Sequence, residues 1–327
     1  MRGKVLLSLL FGVVVVSGLV VYADASDMAG ALRRFRWEFL PAIVALTLLN
    51  YLLRFLKWQY YLRQIGVRDL PARDSLLIFF SGLSMVITPG KVGEWLKCYL
   101  LGQACGTPFA RSAPIVVAER LTDGLALVLL ASGGLLLFGR GWQIMALALL
   151  LAAAVVLAAR HRGLAGRIVR LAGRLPFLSK RTHAVVAFYE SSRTLFSPGN
   201  LAIAVAIGFV SWAGECLAFF LVLVGLGEDA SALLAVKAAF ILSASTLGAS
   251  LVLLPGGLGF AEGGITGLCQ VLLDMTRSAA VAAALLIRLC TLWFGVGLGA
   301  LMLAVTLRRL RTPVKAAEAA PQDAASA

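Results

Sequence analysis

The stretch Ile87-Thr88-Pro89-Gly90-Lys91-Val92-Gly93-Glu94 decides how the chain is read, because it breaks an apolar run and sets charge inside it. Pro89 has no backbone N–H and disfavours helical geometry at Thr88, so a helix entering from Ser75 is expected to stop here. Gly90 and Gly93 let the backbone turn or approach a neighbour closely. Lys91 and Glu94 are surrounded by Met85, Val86, Ile87, Val92, Trp95 and Leu96. In lipid, a broken helix bearing charge is tolerated where it lines a protein or aqueous cavity. In headgroup water, the same residues would make an ordinary loop between two spans.

A second stretch, Val252-Leu253-Leu254-Pro255-Gly256-Gly257-Leu258-Gly259, lies 166 residues further on. At that one offset Gly82 falls on Gly248, Ser84 on Ser250, Pro89 on Pro255, Gly90 on Gly256 and Gly93 on Gly259. Arg111-Ser112-Ala113 falls on Arg277-Ser278-Ala279, with no gap needed. This predicts an internal duplication, although apolar and small-residue bias inflates chance matches. Glycine-interrupted apolar segments at matching places in two halves point to a transporter's binding site.

Of the 327 residues, 60% are hydrophobic and 14% charged, and mean hydropathy is +0.92, which fits a polytopic helical membrane protein rather than a soluble domain. Thirty Lys and Arg against sixteen Asp and Glu give +14. These basic residues cluster beside apolar segments, so positive-inside topology and anionic lipid explain them better than nucleic acid. Cys98, Cys105, Cys216, Cys269 and Cys290 are scattered without a CxxC pair, and His161 and His183 are the only histidines. No metal site at familiar spacing and no cofactor are expected.

Arg2 and Lys4 precede an apolar run from Val5 to Val21, and Ala23-Asp24-Ala25 resembles a signal-peptidase site. The run exceeds a usual signal core, so it reads as an uncleaved first span with its N-terminus inside. Arg33, Arg34 and Arg36 mark an outer interfacial turn. A second span covers about Leu40 to Tyr60, with Arg54, Lys57, Trp58, Tyr60 and Tyr61 at its inner, interfacial end. Ser75 to Thr88 is only fourteen residues, too short to cross ~30 Å of hydrocarbon as helix. Residues 75–102 are therefore expected to form a re-entrant hairpin folded at Pro89-Gly90.

Spans are next read at 112–138, 143–159, 201–226 and 278–306. The basic loop 160–198 is the strongest cytoplasmic marker, and part of it should lie on the membrane surface. Glu228 and Asp229 mark an outer loop. Residues 231–273 form the second Pro-Gly unit, whose first part, Leu233–Leu254, is long enough either to cross or to re-enter. If both units re-enter, they open from opposite sides and the duplication is inverted, as alternating access uses.

The expected architecture is all-α. It has about six full spans plus two broken-helix hairpins, or about eight membrane segments. One transmembrane domain covers 1–310, with repeat units at about 40–159 and 200–306, and a disordered cytoplasmic tail covers 311–327.

Within membrane depth fall Lys91, Glu94, Glu119, Arg120, Asp123, Glu215, Lys237, Glu262 and Arg288. An isolated charge there costs about 2.5–3.5 kcal/mol on insertion scales, so several should share a polar interior. One outcome is a set of ion pairs, Arg120 with Glu94 and Arg288 with Glu262, that only joins the hairpins to their neighbours. The other gives Lys91, Arg120 and Arg288 to a headgroup phosphate, with Glu94, Glu119, Asp123 and Glu262 releasing them in turn or carrying a proton. Helix N-termini after the glycine turns would add N–H donors. Enzyme motifs are absent, and the Glu119/Asp123 pair alone is thin support for a metal-dependent transferase.

Four ordered motifs carry a family resemblance: Thr88-Pro89-Gly90-Lys91-Val92-Gly93-Glu94, Glu119-Arg120-Leu121-Thr122-Asp123, Pro255-Gly256-Gly257-Leu258-Gly259 with Glu262, and Arg288. Over about residues 5–308 the chain resembles the lysylphosphatidylglycerol synthase transmembrane-region family, a flippase-like domain. The resemblance implies a multi-pass protein of the cell inner membrane, associated with lipid translocation and with membrane lipids as partners. Relatives tied to glycolipid or polyprenyl-phosphate sugar synthesis leave a transferase open, as well as a non-transporting partner of a lipid-modifying enzyme. Fused members continue into an aminoacyltransferase domain that does not follow here, so this chain is not expected to make aminoacylated lipid.

Overall fold

The structure is a computed structural model that describes residues 2–88, 94–138, 142–160, 182–252 and 254–318. Among the described residues there is no strand. The helices are α1 (Arg2–Ala23), α2 (Ala25–Arg34), α3 (Leu40–Gln64), α4 (Ala72–Leu83), α5 (Leu96–Cys105), α6 (Phe109–Phe138) and α7 (Trp142–Arg160). They continue with α8 (Thr182–Leu195), α9 (Pro198–Gly225), α10 (Ala232–Leu251), α11 (Phe260–Leu273), α12 (Arg277–Arg288) and α13 (Phe294–Glu318). The last of these enters the stretch expected to be a disordered tail, whose end lies outside the described residues.

Large apolar side chains cover the outside of the helices: Leu150, Val210, Leu217, Val271 and Leu301 are all exposed. Such a surface is unfavourable in water and natural in hydrocarbon. Among the described residues four helices are long and apolar enough to cross a membrane: Trp37–Gln64, Pro198–Gly225, Ala232–Leu251 and Arg277–Arg309. A fifth is reached if α1 and α2, which meet at a bend of 92°, count as one broken span. Asp24 makes that bend, with a φ of 63° and a side chain that accepts from the Ser26 N–H. The spans read at 112–138 and 143–159 correspond to α6 and α7, of 30 and 19 residues.

Two apolar cores divide the molecule. One is built on α9–α12 around Phe219, Val222, Ile241, Ile265 and Ile287. The other joins α3, α4, α5, α6 and α8 around Trp58, Tyr61, Ile78, Leu100, Ile115 and Leu195. The second core corrects one expectation: Trp58 and Tyr61 are wholly buried rather than interfacial. The Trp58 indole N–H donates to Ser75 Oγ at 3.1 Å, and the Tyr61 hydroxyl lies 3.2 Å from Thr122 Oγ1. With their polar tips met inside the protein, these rings bury their full area there.

The two Pro-Gly units are not alike. In the first, α4 has 12 residues and α5 has 10, and they pack on one another. At 1.5 Å per residue neither crosses ~30 Å. The turn itself, Pro89, Gly90, Lys91, Val92 and Gly93, lies outside the described residues. In the second, α10 has 20 residues and passes as a crossing helix by length and composition. A tight turn at Pro255–Gly257 then leads to α11, which packs back on α10.

Gly256, Gly257 and Gly259 all have positive φ, the region that favours glycine. Gly256 also abuts the first unit, because a Cβ there would meet Ile87 Cγ2 at 3.3 Å and Ile87 Cα at 3.5 Å. A similar approach joins α13 to α4, where a Cβ on Gly299 would lie 2.8 Å from the Phe80 carbonyl oxygen.

Between α12 and α13 the backbone widens into a π turn at Leu289–Trp293. The Tyr51 hydroxyl of α3 donates to the Thr291 carbonyl inside that turn. Such widened turns are common beside functional sites.

Candidate functional site

Where the two cores face each other lies a half-open cavity of about 160 Å³. Its wall takes Arg54 from α3, Glu94 and Lys97 around the start of α5, Arg120 from α6, Trp212 and Glu215 from α9, and Arg288 from α12. Small residues of the second glycine turn, Gly256 and Gly257, complete it. Long apolar helices thus bring charges from distant parts of the chain into one polar interior, as the cost of isolated charge in lipid requires.

Asp123 is the hub. It is buried on α6 and accepts from Lys57 Nζ, a buried ammonium one turn beyond Arg54 on α3. Arg54 Nη2 lies 3.8 Å and Arg120 Nη2 3.4 Å from its other oxygen. Arg120 also reaches Glu94 Oε2 through Nε at 3.2 Å. One turn along from Glu94, Lys97 donates to Glu119 Oε2 at 2.5 Å while its ammonium sits 4.8 Å over the Trp58 ring. The ammonium is therefore held by a carboxylate and an aromatic face together.

The second half repeats part of this scheme. Arg288 Nε donates to Glu262 Oε1 at 2.6 Å, and Nη2 donates to the Gly256 carbonyl at 2.6 Å. The other carboxylate oxygen, Glu262 Oε2, accepts from the Gly259 N–H at 2.7 Å. Both Glu262–Arg288 and Glu94–Arg120 are 26 residues apart in sequence. In each, the acid follows a Pro-Gly stretch of sequence and the arginine belongs to the second helix after it.

The structure therefore places six of the seven sequence-derived headgroup candidates in ion pairs: Glu94, Arg120 and Asp123 in one network, Glu119 with Lys97, and Glu262 with Arg288, which lines the same cavity. The seventh, Lys91, lies outside the described residues.

Three expectations are corrected. Arg54 and Lys57 do not sit at an interface; they turn inward because Asp123 draws both. The signal was available, since residues three apart share a helix face. Lys97 was missed entirely, although its position three residues after Glu94 puts both on one side of a turn. Lys237, placed by sequence with the others, is elsewhere and donates to the Leu272 carbonyl at 2.7 Å. Nearby, burial and then Asp229 push the Glu228 carboxyl above the usual carboxylate range, with Lys237 opposing them.

Glu215 differs from the other acids. Among the described residues no cation lies within ion-pair distance of it. Its one hydrogen bond is from Asn50 Nδ2 at 3.1 Å, an amide that also donates to the Ser211 carbonyl at 3.0 Å. Asn50 is buried, and among the described residues its Oδ1 has no hydrogen-bond partner. Among the described residues no group of three or more metal-binding side chains could hold a metal ion.

The family model for the lysylphosphatidylglycerol synthase TM region matches residues 9–299. The chain is similar to a "UPF0104 membrane protein" of Methanothermobacter thermautotrophicus, with 24% identity over 319 residues, 90% of this chain and 93% of that protein. It is also similar to "Glycosyltransferase AglD" of Haloferax volcanii, with 24% identity over 321 residues. That match covers 87% of this chain but 51% of the longer protein. No solved structure matches. With a family model spanning most of its length, the chain belongs to the lysylphosphatidylglycerol synthase TM region family.

Proposed function

We infer that the protein moves a phospholipid or lipid-linked headgroup between the two leaflets of the cell inner membrane. The observation that supports this best is the half-open cavity with Arg54, Arg120 and Arg288 on its wall, contributed by three separate helices. Guanidinium groups recognise phosphate in a planar, bidentate way, and all three are already paired with carboxylates that an arriving anion can replace. A volume of about 160 Å³ is below the roughly 300–1,000 Å³ of pockets for drug-sized ligands, which suits a compact charged group.

The two Pro-Gly units are the moving parts in this reading. They are inverted copies, the first a re-entrant pair, and they meet at Ile87 and Gly256. Their Glu–Arg pairs share one spacing, although at an offset of 168 rather than the 166 of the glycines. Purified protein in liposomes tests the reading. A change in headgroup accessibility without new chemistry is the expected result. A new lipid product would replace transport with a transferase, and neither would leave a partner role. Lipid that co-purifies, identified by mass spectrometry, names the headgroup.

The proposed topology puts the N-terminus, the loop 160–198 and the C-terminus in the cytoplasm, with Glu228 outside. Single cysteines at 180 and 228 and an impermeant maleimide check it. Four native cysteines are buried and Cys105 is exposed, so the test needs a Cys105→Ser background. Residue 228 should label in intact cells and residue 180 only after permeabilisation. The reverse pattern overturns the topology and the inverted repeat.

A further inference from the structure

We propose that Glu215 takes up one proton when an anionic phosphate enters the cavity and gives it back when the anion leaves, so that movement of the anion is coupled to a proton. The inference rests on the transport reading and adds to it an energy source.

The reasoning starts from charge. Among the described residues the polar interior holds five cations, Arg54, Lys57, Lys97, Arg120 and Arg288. Against them stand four paired carboxylates, Glu94, Glu119, Asp123 and Glu262. Glu215, unpaired, is the fifth carboxylate on that interior. With Glu215 ionised, the charges of these described groups cancel. Adding a phosphate diester, one negative charge, would leave a net charge in a low-dielectric interior, which is costly. A proton from water bonding to a Glu215 carboxylate oxygen restores neutrality. The empty site and the site loaded with anion plus proton are then both uncharged, and both can rearrange in the bilayer.

Geometry gives the proton a place. Asn50 Nδ2 donates to Glu215 Oε2, while Oδ1 of the same buried amide lacks a donor. A carboxylic acid O–H is the donor that such an oxygen lacks, and an amide and an acid pair side by side through one N–H and one O–H. In the ionised state the unpartnered Oδ1 is a standing cost, which protonation of Glu215 removes.

The charged groups around Glu215 leave this role open. Arg54 of α3, Asp123 of α6 and Arg288 of α12 act on it across the cavity, and Tyr51 of α3 is the nearby phenol. The charged residue of α10, Lys237, is held at the Leu272 carbonyl, and Glu190 and Arg193 of α8 are exposed. Glu215 also lies within a helix that crosses the membrane, which suits a group that must exchange with either side.

The test uses the full chain in phosphatidylcholine vesicles carrying a trace of fluorescent phosphatidylglycerol, with leaflet distribution read by an impermeant quencher. One proton per anion means that a pH step of ~1 unit drives the probe toward the alkaline-facing leaflet, up to about tenfold at equilibrium. A potassium diffusion potential should have no effect, because the coupled step carries no net charge. In Glu215→Gln the pH bias is expected to vanish, whatever rate of movement remains.

Movement that ignores pH in the wild-type protein overturns the coupling and leaves transport standing, and this measurement needs no variant to fold. A bias that persists in folded Glu215→Gln overturns the role of Glu215. Vesicles loaded with radiolabelled inorganic phosphate separate the anion source: pH-driven phosphate efflux without lipid movement keeps the coupling and assigns it to free phosphate. No movement of either anion overturns the transport reading and the coupling together.

Discussion

Asp123→Ala is expected to remove most of the folded protein. One carboxylate accepts from Lys57 and faces Arg54 and Arg120, so its loss strands Lys57 and Arg54 and leaves Arg120 with Glu94 alone. Breaking a buried pair costs about 3–5 kcal/mol, and here the wholly buried Lys57 has no route to solvent. Asp123→Asn keeps the shape and should be milder. Lys57→Met together with Asp123→Leu should recover part of the yield, because an apolar pair of similar volume replaces the most deeply buried pair while Arg54 still lacks its carboxylate. Monodisperse yield and thermal midpoint in detergent measure each variant. Wild-type values for Asp123→Ala would mean that other anions hold the three cations and that the hub assignment is wrong.

The second large effect concerns Arg288. Its guanidinium donates through Nε to Glu262 and through Nη2 to Gly256, which leaves further N–H donors on the cavity side of the fork. Arg288→Ala should lose translocation and much of the fold, since buried Glu262 then lacks its cation. Adding Glu262→Ala should restore folded yield but not translocation. Arg288→Lys should fold and yet translocate roughly ten- to hundredfold more slowly, the worth of about 1.5–3 kcal/mol for a hydrogen bond to a charged group. If the double variant folds and translocates at the wild-type rate, the two charges only satisfied each other, and Arg288 has no part in phosphate binding.

The fold class and much of the site were legible because breaks in apolar sequence are conspicuous. Pro255, Gly256, Gly257 and Gly259 announced the second turn, and the structure gives that turn its positive φ values. Glu94 with Arg120 and Glu262 with Arg288 could be paired in advance, since few other partners exist at that depth.

Arg54, Lys57, Trp58 and Tyr61 could not be placed the same way. Basic and aromatic residues near the end of a span read as an interfacial belt. Only the packing of α3 against α4, α5 and α6 turns them inward. Periodicity says which side of a helix a residue lies on, and not what that side meets.

The unequal helices flanking the two turns, 12 residues in α4 against 20 in α10, have the same source. Length was open at Leu233–Leu254, and nothing local decides between crossing and turning back.

The bare backbone of Gly256 against Ile87 has a mechanical consequence. Two segments so close that even a Cβ on Gly256 would press on Ile87 behave like meshed teeth: neither rocks without displacing the other. Arg288 Nη2 holds the Gly256 carbonyl, so the guanidinium that faces the cavity is geared directly to that mesh. A tug on that arginine is thereby passed through the Gly256 carbonyl to the contact with Ile87, so the two halves of the molecule are levered from a single point.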